Sequence, residues 1–218
     1  MATEARLLRL LTWLSPAFPT GAFGFSHGLE TAIRDDAVTD VRTLTGWIAA
    51  LLEHGSAWSD AVLLKAAWVA VTHEDHVALD EVAELAEALA PSVERRRETM
   101  SQGEAFLTAV AAWNPPPILR APYPVALGAA AGAAGVPLEP ALTAWLHAFS
   151  ANLVSVAVRA VPLGQSDALQ VLAALEPVIL RTANRAAAST LDDLGSASIA
   201  SDVASMRHET LNGRLFGS

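Results

Sequence analysis

Apolar residues recur at helical spacing along most of this chain, and the period-two alternation of β-branched residues that marks strands is nearly absent. That pattern predicts an all-α fold. In residues 40–54 the positions Val41, Leu44, Trp47, Ile48, Leu51 and Leu52 fall on one stripe, with Asp40 placed to cap the start and Gly55 to close the end. Residues 59–73 repeat the arrangement with Val62, Leu63, Ala66, Ala67, Trp68 and Val71. Further helices are predicted at about 78–89, 92–113, 123–133, 139–160 and from Ser166 or Asp167 to Ala188. Pro115-Pro116-Pro117 and Pro162-Leu163-Gly164 are the breaks, because proline lacks the amide donor and restricts the residue before it.

At 218 residues, with no long polar linker, the chain is expected to form a single-domain helical bundle. From Ser189 onward Ser196, Ser198, Ser201 and Ser205 interrupt any stripe, so residues 189–218 read as a flexible, loosely ordered tail. Hydrophobic residues make up 52%, much of it alanine, which points to buried helices or an oligomer interface. Residues 140–158 carry no formal charge, but His147, Ser150, Asn152 and Ser155 break a lipid-facing surface, so a buried bundle helix is expected and a membrane span is not.

A net charge of -9 with a single lysine, Lys65, argues against nucleic acid, whose binding rests on clustered Lys and Arg. The basic run Arg95-Arg96-Arg97, between Glu94 and Glu98, reads as a solvated helix face. The absence of cysteine excludes disulfides, thiolate metal sites and a cysteine nucleophile. The start Met1-Ala2-Thr3-Glu4 has no secretory pattern, and a cytoplasmic location is expected.

Three segments hold candidate chemistry. Residues 15–30 combine two prolines and three glycines with Ser26, His27 and Glu30. Adjacent Ser and His side chains diverge and no nucleophile elbow surrounds Ser26, so a turn is favoured over a catalytic triad, with Phe23 and Phe25 packing and His27 hydrogen-bonding. His73 and His76 are spaced for a shared metal, yet they fall in a helix connection without a convincing third ligand. The end of the chain is different in kind. Met206, Leu215 and Phe216 stand beside Arg207, His208 and Arg214 on an otherwise acidic body, which reads either as a docking tail or as a last helical turn packed on its own domain.

Three separated blocks resemble the UreF family of urease accessory proteins. They run from Leu14-Ser15-Pro16 through Gly21-Ala22-Phe23 to Ser26-His27-Gly28-Leu29-Glu30, from Ser150 to Gln165, and from Ser205 to Phe216. The resemblance implies an all-α, dimeric, non-catalytic scaffold without a cofactor. Such a scaffold links the accessory protein UreD, also called UreH, to the GTPase UreG on urease apoprotein during nickel insertion. It also implies partner contacts at Arg207, His208, Glu209, Arg214, Leu215 and Phe216, with the tail meeting UreD/UreH. His27 and Glu30 carry over as a conformational and interaction element, and Arg159 and Gln165 as part of a surface for UreG or the dimer mate. The alternative is a metallochaperone that binds nickel through His27, His208 or the His73/His76 pair. Two departures stand out: Leu211-Asn212-Gly213 occupies a stretch where an aromatic is usual, and Gly24-Phe25 replaces a common Ser-Tyr pair.

Overall fold

The computed structural model describes residues 2–113, 116–161 and 163–217. These form the helices α1 (Ala2–Trp13), α2 (Leu29–Arg34), α3 (Val41–His54), α4 (Ser56–Thr72), α5 (His76–Ala88), α6 (Val93–Val110), α7 (Tyr123–Ala133), α8 (Leu138–Ala160), α9 (Gln165–Ala188) and α10 (Ile199–His208). There is no strand among the described residues, and the fold is an all-α bundle. Of the expected breaks, Pro115 and Pro162 lie outside the described residues.

Local chemistry sets the helix starts. Asp40 Oδ1 accepts the Thr43 N–H at 2.7 Å while Thr43 Oγ1 accepts the Asp40 N–H at 3.0 Å, a reciprocal cap on α3. Asp75 and Ser92 accept from Ala78 and Arg95 to begin α5 and α6. At α9, Asp167 Oδ2 reaches back to the Gly164 N–H at 2.9 Å.

The centre of the bundle is α7, not α8. Every residue from Tyr123 to Gly132 is buried, with α4 and α6 packed against it. The alanines and glycines of α7 let its neighbours approach closely: a Cβ on Gly128 would stand 2.2 Å from the Leu64 carbonyl oxygen. Because α7 covers one side of α4, Ala61 and Leu64 are buried although they lie outside the stripe read from the sequence. By contrast α8 buries one face and turns His147, Ser155 and Arg159 outward. It is the one helix among the described residues long and apolar enough to cross a membrane, and 56% of its apolar window is buried within the chain.

Gly128→Ala therefore forces α4 and α7 apart. Overpacking of this kind costs about 1–3 kcal/mol, and the expected result is a matching drop in unfolding free energy by urea titration, whereas Gly46→Ala, an exposed mid-α3 site that meets open space, is expected to gain about 0.5–1 kcal/mol.

The serine-rich end departs most from the sequence reading. Residues 199–208 form α10, which packs on α2, and Phe216 is 7% exposed. The stripe was hard to see because the inward face of α10 consists of Ser201, Ala204, Ser205 and His208, small or polar groups that fit against backbone. A Cβ on Gly28 would lie 2.7 Å from the Ser205 nitrogen, so α10 seats directly on that glycine.

Candidate functional site

The N-terminal and C-terminal blocks meet. His27 and Gly28 both have left-handed backbone (φ 53° and 76°), which turns the chain sharply into α2. Ser26 Oγ accepts the Glu30 N–H at 3.4 Å, so this serine closes a helix start. The turn directs Glu30, 2% exposed, beneath the tail.

Glu30 is the hub of the junction. Its carboxylate accepts the Leu215 N–H at 3.0 Å, the Phe216 N–H at 3.1 Å and Arg34 Nη2 at 2.8 Å, and lies 3.2 Å from His208 Nε2. Burial pushes the Glu30 carboxyl up, but the hydrogen bonds from Leu215, His208, Phe216 and Arg34 outweigh it and hold the group below the ordinary carboxylate range. His208 is fully buried, and its Nδ1 lies 2.7 Å from Glu94 Oε2. Arg214 pairs with the same Glu94.

Further contacts clamp the edges. Arg34 donates to the Asn212 and Gly213 carbonyls at 2.7 and 2.6 Å, so the stretch without its usual aromatic supplies backbone acceptors instead. Arg207 bridges to Asp35 at 2.5 Å, and Glu209 accepts the Val93 N–H at 3.0 Å at the start of α6, where negative charge suits the helix dipole. Arg159 donates to the Phe23 carbonyl at 2.8 Å and lies over the Phe216 ring at 4.7 Å. The Gly217 N–H donates to the Gly24 carbonyl at 2.7 Å, and Phe25 packs against Gly217.

The residues singled out from the sequence thus fall into three places. Glu30, Arg159, Arg207, His208, Glu209, Arg214, Leu215 and Phe216 share the junction; Gln165 opens α9 and is exposed; His27 belongs to a neighbouring buried cluster. Phe23, expected to pack, is 66% exposed.

The His27 cluster overturns the reading of the basic run. Arg95 is buried and pairs with Glu98 at 2.5 Å, with Asp60 of α4 3.9 Å away. Arg96 pairs with Glu87, and of the three arginines Arg97 alone fits a plain solvated face. The physical reason is the i,i+3 spacing of Arg95 and Glu98, which turns both toward α4 and His27. His27 Nε2 lies 2.9 Å from Glu98 Oε1, and Gln102 donates to the same oxygen at 3.1 Å. Burial and the Arg95 charge push the His27 imidazole down. Burial raises Asp60 to about 6, more than Arg95 can offset. The cluster forms the floor of a cavity of about 270 Å³ whose walls include Tyr123, Trp145 and Phe149. Glu94, Glu98, Asp60 and Arg34 were not identifiable as site residues from sequence; the available signal was a charge at an apolar helix position, as at Asp60 between Trp58 and Val62.

A raised acid is protonated more readily in the folded than in the unfolded chain, so the Asp60 contribution to stability is full at acid pH and falls as pH rises from about 4 through 6. Asp60→Asn removes that slope. Relative to the parent, the variant is expected to gain about 2 kcal/mol between pH 4 and pH 7, read from urea titrations at the two pH values.

Among the described residues no group of three or more His, Asp or Glu is placed to hold a metal ion. His73 caps the end of α4 and His76 begins α5, while both ring nitrogens of His208 face carboxylates.

The UreF family profile matches residues 38–176, well over half of the chain. Urease accessory protein UreF from Mesorhizobium japonicum is 52% identical over 216 residues, 97% of this chain and 96% of the relative. The chain belongs to the UreF family. UreF proteins of Agrobacterium fabrum (52% over 219 residues, 98% of this chain and 97% of the relative) and Brucella ovis (51% over 217 residues, 97% and 94%) are similar across the same span. With 97–98% of the chain covered, these matches extend beyond the profile match on both sides. UreF proteins are non-catalytic accessory factors of urease metallocentre assembly, and Ser26 and His27 accordingly serve this UreF-family fold as a helix start and a buried hydrogen-bonding group.

Proposed function

We propose that this chain is a cytoplasmic urease maturation scaffold that joins UreD/UreH to the GTPase UreG and takes part in GTP-dependent nickel insertion into urease apoprotein. Among these roles, the tail is the element that meets UreD/UreH. The observation that carries this reading is the outer face of α10. Ile199, Val203 and Met206 recur there at helical spacing and are 73%, 46% and 51% exposed, next to Leu215 at 68%. The inner face is locked to Glu30 and Glu94, so the polar groups of Arg207, His208, Glu209 and Arg214 set the shape of the tail while Ile199, Val203, Met206 and Leu215 remain available to a partner. Arg159 and Gln165 belong to a separate surface for UreG or for a second copy in a homodimer.

Urease activation in cells tests the role of the tail. A chain ending at Ser189 is expected to leave urease without nickel and without activity, and normal activation by it would remove the tail from the function.

A further inference from the structure

We propose that the outward face of α8, the cavity mouth beside it and the exposed ring of Phe23 form an interface between two copies of this chain, in which each Phe23 ring enters the cavity of the other copy. The inference deepens the homodimer reading above and rests on it. Its first warrant is charge. On a chain of net charge -9, residues 10–29 and 140–158 contain no Asp, Glu, Lys or Arg. The fold brings these two stretches together, with Leu14, Pro16 and Phe23 from the first and Ala148, Ala151 and Ser155 from the second lining one cavity. Acidic bodies repel each other, and the core of a homodimer interface is depleted of charge, so this uncharged face is where a second copy meets least opposition.

The second warrant is apolar surface that the chain itself leaves uncovered. Of the long apolar window of α8, 56% is buried within the chain, and the remainder faces outward. The outward row runs through Ala144, Ala148, Ala151 and Ser155, small groups at helical spacing that let another backbone come close. Lipid does not suit this face, because His147, Asn152, Ser155 and Arg159 interrupt it. Beside the row stands Phe23, 66% exposed. Its loop is tied to α8: Arg159 donates to the Phe23 carbonyl at 2.8 Å and Asn152 Nδ2 to the Phe25 carbonyl at 3.4 Å, while the Gly24 N–H closes on the Gly21 carbonyl at 3.0 Å. A ring held out on a fixed loop has little freedom left to lose on binding.

A knob beside a hole on one face suits a two-fold contact. In such an interface both copies use the same patch, so an axis midway between Phe23 and the cavity mouth carries each ring to the opening of the other copy. The hole is large enough, at about 270 Å³, since a cavity of about 150 Å³ already holds benzene. Its walls include Leu14, Tyr123, Trp145 and Phe149, apolar and aromatic groups that favour edge-to-face contact with an entering ring. The chain's own Phe23 stays at the rim, where its carbonyl is held by Arg159.

The test is sedimentation equilibrium on the full chain alone, over a range of concentrations, for the parent and for Phe23→Ala. The parent is expected to dimerise. Phe23→Ala is expected to raise the dissociation constant at least about thirtyfold, the factor for losing one central aromatic anchor, with helical content by circular dichroism unchanged because the ring is mostly exposed. A benzophenone amino acid in place of Phe23 gives a second readout that needs no loss of binding. On irradiation it should yield a covalent dimer whose link, mapped by mass spectrometry, joins position 23 of one copy to α8 or the cavity wall of the other. A parent dimer that Phe23→Ala leaves unchanged, or one in which the benzophenone links only within a chain, would overturn this interface and leave the homodimer reading standing. A parent that is monomeric at every concentration would end both. Loss of UreG recruitment by Phe23→Ala with the dimer intact would give the face to the GTPase and would equally overturn the proposal.

Discussion

Glu30→Ala is expected to free the C-terminal tail while leaving the bundle folded. The substitution strips four partners at once: two backbone N–H groups, the His208 ring and Arg34. It also leaves His208 buried against Glu94 alone. Breaking a buried charge network from one side costs about 3–5 kcal/mol, and the cost falls on a segment held by few apolar contacts, Phe216 foremost among them. Local opening rather than global unfolding is the expected response. Hydrogen exchange would show loss of protection at residues 209–217 with α3, α4 and α7 unchanged, whereas retained protection at Leu215 and Phe216 would mean that the hub is not what holds the tail. The pH dependence follows from the same carboxyl. Because Glu30 is held below its ordinary value, its contribution is present above that value and is lost as pH falls through the depressed one, so the tail is expected to loosen in acid.

Arg95→Met is expected to destabilise the whole bundle. Arg95 is buried between Glu98 and Asp60, and Glu98 itself is 1% exposed. Removing the cation leaves the Asp60 and Glu98 carboxylates without the charge that pairs them, again a loss of about 3–5 kcal/mol. The loss should shrink at low pH, where Asp60 is protonated and one of the two charges is gone. Urea titrations at pH 5 and pH 8 check both the size and the trend. A pH-independent loss would show that Asp60 and Arg95 do not interact through charge.

The helices that bury a continuous apolar face were legible in the sequence, and α3, with its Asp40 start and Gly55 end, is the clearest case. The residue range 123–133 matched α7, yet its central position did not show, because a helix of alanine and glycine buried on all sides has no polar face to give it a direction. The sequence left the tail open between a docking segment and a packed helical turn for the converse reason. α10 buries serine, alanine and histidine against the glycine at position 28, a fit between small groups and backbone that leaves no hydrophobic stripe. At the site, the motif blocks pointed to Glu30 and His208, but their meeting depends on contacts 178 residues apart in the chain. Glu94, Arg95 and Glu98 looked like one solvated charged run, and only the rotation of α6 against α4 separates the buried Arg95 from the paired, surface Arg96.

The central claim is that a docked tail makes this chain a scaffold. Its most direct test is size-exclusion chromatography with light scattering on the full chain, and on a chain ending at Ser189, each mixed with UreD/UreH and UreG from the same organism. The full chain is expected to co-elute with UreD/UreH and to bring UreG into the same peak, and the truncated chain to elute apart from UreD/UreH. Co-elution of the truncated chain with UreD/UreH at full stoichiometry, or failure of both chains to bind, would contradict it.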